Sequence, residues 1–235
     1  MTVKEVMKSL KEFGSEQTRK IYLNHGAKGD FFGCKVGDIK KIQKKIKVDH
    51  KLAIDLWDTK NGDARYLAGL IADKEAVSKK ELDKWVKESE WSWNSEYTVP
   101  WLAADSPHGF DMGMKWIKTK KETTAAAGWA TLSSVASVWS NENLDIKAYD
   151  ELLDHVAENI HDQKNRVKYT MNNFVIAVGS YIPKLSAKAN KVAKKIGKVE
   201  VLMGKTACKV PLATDYIKKV KDRGSIGKKR KMARC

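Results

Sequence analysis

Apolar residues recur at three- and four-residue intervals along most of this chain, with polar residues filling the positions between them, the spacing of helices that bury one face. Val3, Val6, Met7 and Leu10 form the first stripe, and after Gly14 and Ser15 a second short helix runs to Asn24, His25 and Gly26. Residues 26–37, punctuated by glycine and carrying Phe31, Phe32 and Cys34, predict a loop. Asp38 reads as the N-cap of a helix carrying Ile39, Ile42 and Ile46 beside a lysine face, and a turn at Asp49 leads into Leu52, Ile54, Leu56 and Trp57. Helices follow at 61–73, with Ala64, Leu67, Ala68 and Ile71, and at 78–87, with Leu82, Trp85 and Val86. The second half predicts helices at 112–118, 123–139, 146–160, 166–181, 185–196 and 214–220.

Only four prolines interrupt the pattern, and the one stretch of strand-like alternation, 199–202, is too short to carry a sheet. The expected fold is therefore all-α. Helical pairs joined by short connectors and recurring about every 35 to 45 residues fit a HEAT/armadillo-like helical-repeat superhelix, an α-solenoid with a concave basic face. Residues 1–222 are expected to form a single helical-repeat domain, and 223–235 a basic, flexible C-terminal tail.

Composition narrows the partners. In 235 residues, 42% are apolar, enough for a proper core, and 45 Lys and Arg against 29 Asp and Glu leave a net charge of +16, which favours polyanions. Double-stranded DNA is the leading expected partner and an acidic membrane surface the second. The charged start of the chain resembles no signal peptide, and no apolar run has the length of a membrane span, so a soluble, intracellular monomer is expected, cytoplasmic and nucleoid-associated. Cys34, Cys208 and Cys235 form no C-x-x-C pair, and His25, His50, His108, His155 and His161 show no ligand spacing, so no metal or other cofactor is expected. Gly204-Lys205-Thr206 lacks the earlier glycine of a phosphate loop, since position 199 is valine.

The richest segment is 91–101, Trp-Ser-Trp-Asn-Ser-Glu-Tyr-Thr-Val-Pro-Trp, which holds three indoles, a phenol and a single carboxylate in a cationic chain. As a helix it would align Trp93, Glu96 and Pro100 on one face and place Trp93 over Tyr97. Glu96 beside an indole suits a reaction that builds positive charge on a sugar, where a carboxylate stabilises the charge and orients water. An indole face would add roughly 0.5 to 2 kcal/mol of cation–π attraction for a cationic base. The same pattern also fits tryptophans that only pack, with Glu96 paired to a lysine. Arg166, Tyr169, Asn172 and Asn173 lie within an apolar helix and could reach phosphates and sugars, or the two asparagines could bond across neighbouring helices. The tail, with Arg223, Lys228, Lys229, Arg230 and Lys231 between glycines, reads either as an arm for backbone phosphates or as a solvated end.

Residues 56–74, Leu-Trp-Asp-Thr-Lys-Asn-Gly-Asp-Ala-Arg-Tyr-Leu-Ala-Gly-Leu-Ile-Ala-Asp-Lys, followed by the 91–100 segment, resemble the AlkD-like DNA alkylation repair proteins. The likeness continues through 112–116, 125–132, 169–179 and the ending from Ile226, and so spans most of the chain. It implies a HEAT-like superhelix and a DNA N-glycosylase that removes cationic N3- or N7-alkylpurines from duplex DNA. A non-catalytic DNA-structure binder on the same scaffold is the alternative, and a solenoid that binds only proteins the third class. Carried over by residue, the resemblance places the catalytic carboxylate on Glu96 and an indole on Trp91. A second indole position falls on Ser92, with Trp93 able to supply the ring, and a later tryptophan falls near Phe174. The active-site arginine falls within 125–128, which contains none, leaving Arg65, Arg166 and Lys168 as cations that another helix could bring. The expected site is thus Glu96, Trp91 and Trp93 for chemistry. Tyr97, Arg65, Arg166, Lys168, Asn173, Phe174 and the tail cations are expected to hold DNA.

Overall fold

The computed structural model describes residues 1–234, and among them every regular element is helical. The first half comprises α1 (Val3–Phe13), α2 (Glu16–Asn24), α3 (Val36–Ile46), α4 (His50–Asp58), α5 (Gly62–Ile71), α6 (Lys79–Glu88), a π-helical turn (Trp93–Thr98) and α7 (Val99–Asp105). The second comprises α8 (Gly109–Trp116), α9 (Glu122–Val138), α10 (Ile146–Asn159), α11 (Asn165–Tyr181), α12 (Pro183–Ile196) and α13 (Ala213–Asp222).

Side-chain caps fix many of the starts. Thr2 and Ser78 form reciprocal capping boxes with Glu5 and Glu81, while Ser15, Asp49, Asn61 and Asp145 each accept a first-turn backbone N–H. Asp38 is not a cap. The helix begins two residues earlier, at Val36, because that valine packs on the core, and Asp38 sits in the first turn where its charge suits the helix dipole. Residues 199–202 form no strand and belong to an irregular loop between α12 and α13.

Helices joined by short connectors pack in pairs, α4 on α5, α8 on α9 and α11 on α12, and the pairs stack through α7 on α9 and α9 on α11. Two apolar cores result. One gathers Leu10, Ile39, Trp57, Leu67, Trp85 and Trp116, and the other Trp129, Leu132, Tyr149, Phe174, Val178 and Ile217. Trp101 of α7 packs against both and so joins the halves. A network at Asp63 orders the glycine-rich loop before α3: its carboxylate accepts the N–H groups of Phe32, Gly33 and Cys34 at 2.6, 3.1 and 3.1 Å.

The C-terminal segment is not a free arm. Gly227 N–H donates to Ser180 O at the end of α11, Lys229 Nζ to Ala136 O and Arg230 N–H to Ser137 O at the end of α9, and Ala233 N–H to Asp105 Oδ1 at the end of α7. Arg234 reaches the end of α5. These contacts put the C-terminal ends of α5, α7, α9 and α11 along one edge of the stack. Carbonyls left without helical partners at the ends of α5, α9 and α11, and the Asp105 carboxylate at the end of α7, supply the acceptors, and their negative charge favours a basic segment.

Candidate functional site

Pro100 shapes the 91–101 segment. It has no N–H to donate one turn back, and its ring crowds the carbonyl four residues earlier, so the preceding turn widens. Val99 N–H bonds Asn94 O, five residues back, and the Thr98 hydroxyl donates to Trp93 O at 3.2 Å and to Asn94 Oδ1 at 3.1 Å. Gly69 of α5 makes room for this turn, since a β-carbon there would stand 2.2 Å from Thr98 Cγ2. The wider turn breaks the expected alignment of Trp93, Glu96 and Pro100. Trp93 stacks on Tyr66 with ring centroids 4.3 Å apart instead of covering Tyr97, and Tyr97 meets Trp101 edge-on at 5.5 Å.

Trp91 and Trp93 belong to an aromatic cluster with Tyr22 and Phe31. Tyr22 lies 5.2 Å from Trp91 and 4.9 Å from Trp93, and the two indoles lie 4.9 Å apart. Glu96 takes its partner from the other half of the chain. Arg166 Nε donates to Oε1 at 2.6 Å and Nη2 to Oε2 at 2.5 Å, a two-pronged pair whose side chains are 24% and 2% exposed for Arg166 and Glu96. Arg166 is held in turn: its guanidinium lies 4.4 Å from the Tyr169 ring centroid, and its backbone N–H donates to Glu122 Oε1 at 2.7 Å. Burial pushes the Glu96 carboxyl above its ordinary range, an effect the Arg166 bonds oppose and nearby Glu122 reinforces. Burial also works against the Arg166 charge, but the bonds and charge of Glu96 outweigh it and raise its hold on the proton.

A cavity of about 720 Å³ opens beside the pair, walled by Trp91, Trp93, Tyr97, Glu96, Arg166 and Tyr169, with Lys28 and Lys209 on its lining. The loop between α12 and α13 closes one side. Asn165 holds that loop by bonds to Leu202 N–H and O, and Lys205 N–H reaches Asn24 O at 3.3 Å, joining it to the end of α2. Trp91 Nε1 and Ser95 Oγ, both buried on the lining, have no hydrogen-bond partner among the described residues.

The remaining expected residues scatter. Arg65 is buried, with Nε on Trp57 O at 3.1 Å and Nη1 on Glu88 O at 2.9 Å, so it ties α4 to α6 and presents little surface to solvent. Phe174 is wholly buried against Trp129 and Tyr149, because its position on α11 faces the second core. Lys168 is half-buried beside a second cavity, of about 660 Å³, with Asn165 and Lys198, and Asn173 is half-buried on α11. Asn172 bonds Pro211 O at 2.9 Å, a partner in the loop before α13 and not on a neighbouring helix. Arg223, Lys228, Arg230 and Lys231 are exposed, whereas Lys229 is half-buried and burial lowers its pKa to about 8. Glu122 and Met203 join the site without having been singled out for it, and Tyr169, named beside Arg166 as a residue that could reach phosphates and sugars, lines the same cavity. Among the described residues no group of three or more His, Cys, Asp and Glu could hold a metal ion, and no helix is long and apolar enough to cross a membrane.

The profile of the DNA alkylation repair enzyme family matches residues 6–209, which takes in the aromatic turn, the Arg166 helix and the closing loop. The chain belongs to the DNA alkylation repair enzyme family. Two uncharacterised proteins of similar length resemble it, one from Listeria innocua, 31% identical, and one from Listeria monocytogenes, 30% identical, each over 95% of this chain and 99% of the relative. A solved structure superposes with a TM-score of 0.91 at 35% identity over the whole of both chains, and is described as belonging to a new family of proteins related to the HEAT-like repeat DNA glycosylases with affinity for branched DNA structures. The fold of this alkylation-repair family member is therefore the HEAT-like helical repeat expected from its periodicity.

Proposed function

We propose that this protein binds DNA by its structure, with a preference for branched over linear duplexes, and excises no base. The observation that carries this is the Glu96–Arg166 pair. A carboxylate that stabilises a sugar cation and orients water needs a free oxygen facing the substrate. Here both oxygens are taken by one guanidinium and the side chain is 2% exposed. The net charge of +16 supports a polyanionic partner, and so does the start of α9, which has no side-chain cap and contributes Thr123 to the cavity wall. The described affinity of the structural neighbour for branched DNA supports the preference.

The excision reading uses the same carboxylate and requires Arg166 to leave it. The test measures two things on the same protein: binding to a labelled four-way junction and to a linear duplex across a salt series, and release of 7-methylguanine and 3-methyladenine from methylated DNA. Tighter, salt-sensitive junction binding without base release is the expected result. Base release above the spontaneous rate that is lost in Glu96→Gln would overturn the proposal in favour of a glycosylase, and junction binding no tighter than duplex binding would remove the branched-DNA preference.

A further inference from the structure

The C-terminal segment crosses the stack at the ends of the helices whose starts carry the Glu96–Arg166 site, and it approaches the aromatic turn through Gly69. Glu96, Glu122 and Arg166 lie at the starts of the π-turn–α7 run, α9 and α11, whereas residues 227–234 cross the ends of the same helices. A 17-residue helix is roughly 25 Å long, so Glu122 and Arg166 stand about that far from the segment along α9 and α11, whereas the end of the π-turn meets it through Gly69. The segment runs against the order of the helices, meeting α11, then α9, then α7, then α5, and each contact places a basic or N–H donor on a helix end.

Its last residue before the terminus makes the densest contacts. Arg234 Nε donates to Asp105 Oδ2 at 3.1 Å, and Nη1 faces the carbonyl oxygens of Gly69, Leu70 and Ala72 at 3.3, 3.2 and 3.3 Å. The Arg234 and Asp105 side chains are largely covered, and Ala233 beside them is wholly buried. With Ile71 O taken by Asp49 N–H, every carbonyl from Gly69 to Ala72 has a donor. The two elements that Arg234 joins both touch the π-turn, which also packs on α9. Asp105 ends α7, which continues directly from that turn, and Gly69 is the residue pressed against Thr98 inside it.

We infer that Arg234 is a positioning residue for the Glu96 turn: it locks the end of α5 to the end of α7, and so fixes the gap in which the widened turn sits. The basic ending of the chain serves the frame of the stack through Lys229 and Arg234, and it does so whatever the Glu96 cavity binds.

Native-state hydrogen exchange on the full-length chain tests this. In Arg234→Ala, amides of residues 69–72 and of the turn at 94–99 are expected to exchange about tenfold faster or more, while α10, which the segment does not bond, keeps its wild-type rates. Arg234→Lys, a milder change that retains one cation, is expected to show the same two segments accelerated to a smaller extent, and it carries the test if the alanine variant does not fold. Lys229→Met removes one of the segment's two bonds to the end of α9, leaves the contacts with α5 and α7, and is expected to leave 94–99 unchanged. Acceleration shared evenly by α10, or a turn at 94–99 that exchanges as in the wild type while 69–72 opens, would overturn the inference.

Discussion

Gly69 and Thr98 approach so closely that a β-carbon on the glycine would stand 2.2 Å from the threonine methyl. Replacing a glycine inside a helix by alanine ordinarily stabilises by about 0.5 to 1 kcal/mol. Here the clash is with a side chain whose hydroxyl is tied to Trp93 O and Asn94 Oδ1, so it cannot turn away freely. Gly69→Ala is therefore expected to destabilise, by about 1 to 3 kcal/mol. Thr98→Ser removes the methyl and keeps the hydroxyl, and should recover most of that loss in the double variant. Urea unfolding of the four proteins of this cycle checks it, and a Gly69→Ala protein at least as stable as wild type would show that the turn does not depend on the close approach.

Arg65 separates structural cations from those that could meet DNA. Its guanidinium lies 4.9 Å from the Trp57 ring centroid and bonds the carbonyls of Trp57 and Glu88. Arg65→Ala leaves those buried carbonyls short of donors and is expected to cost about 2 to 4 kcal/mol of stability. The slope of junction affinity against salt should stay as in wild type, because no phosphate contact is lost. A shallower slope in a variant shown to be folded at the assay temperature would return Arg65 to the DNA-facing set.

The helices were legible in the chain because each rests on local signals: Ser15, Asp49, Asn61 and Ser78 stand just ahead of apolar stripes and do cap them. The carboxylate and its aromatic neighbours were legible as a cluster for the same reason. What was not legible depends on distant partners. The π-turn needs Gly69 from another helix as well as Pro100. Glu96 and Arg166 are 70 positions apart, so spacing could name Arg166 as a cation but not join the two. The ending 223–234 has the composition of a loose arm, and what holds it is a row of helix-end carbonyls, groups that no side-chain pattern reveals, together with the distant carboxylate of Asp105.

Asp63 should be the key to the loop that lines the aromatic cluster. Burial pushes its carboxyl upward, while bonds from the N–H groups of Cys34, Phe32 and Gly33 pull against that shift. A side-chain amide at this position would present one acceptor oxygen where two are used, and its NH2 group would face a backbone N–H. Asp63→Asn is expected to lower stability by about 1 to 3 kcal/mol and to expose the glycine-rich 26–33 stretch to proteases. Limited proteolysis followed by mass analysis of the first cut reads this directly. First cleavage elsewhere, at the wild-type rate, would count against Asp63 as the organiser of the loop.

Removing Arg166 should make stability depend on pH in a predictable direction. Glu96 is buried and its carboxyl already sits above its ordinary range; without the guanidinium the opposing pull is gone and the folded-state pKa rises further above the unfolded value of about 4.3. Between those two values the folded protein binds more protons than the unfolded chain, so stability falls as pH rises, by at most about 1.4 kcal/mol per pH unit. Below about pH 4 the carboxyl is protonated in both states and the charge penalty vanishes. Arg166→Ala is thus expected to lose about 3 to 5 kcal/mol relative to wild type near neutral pH and distinctly less near about pH 5. In the double variant Glu96→Gln, Arg166→Ala no buried charge remains, and its deficit should be smaller at neutral pH and flat with pH. Urea midpoints for the three proteins from about pH 5 to about pH 8 decide the matter: a deficit in Arg166→Ala that does not grow with pH would mean that Glu96 finds another cation or water, and that the pair is not what holds its charge in the folded protein.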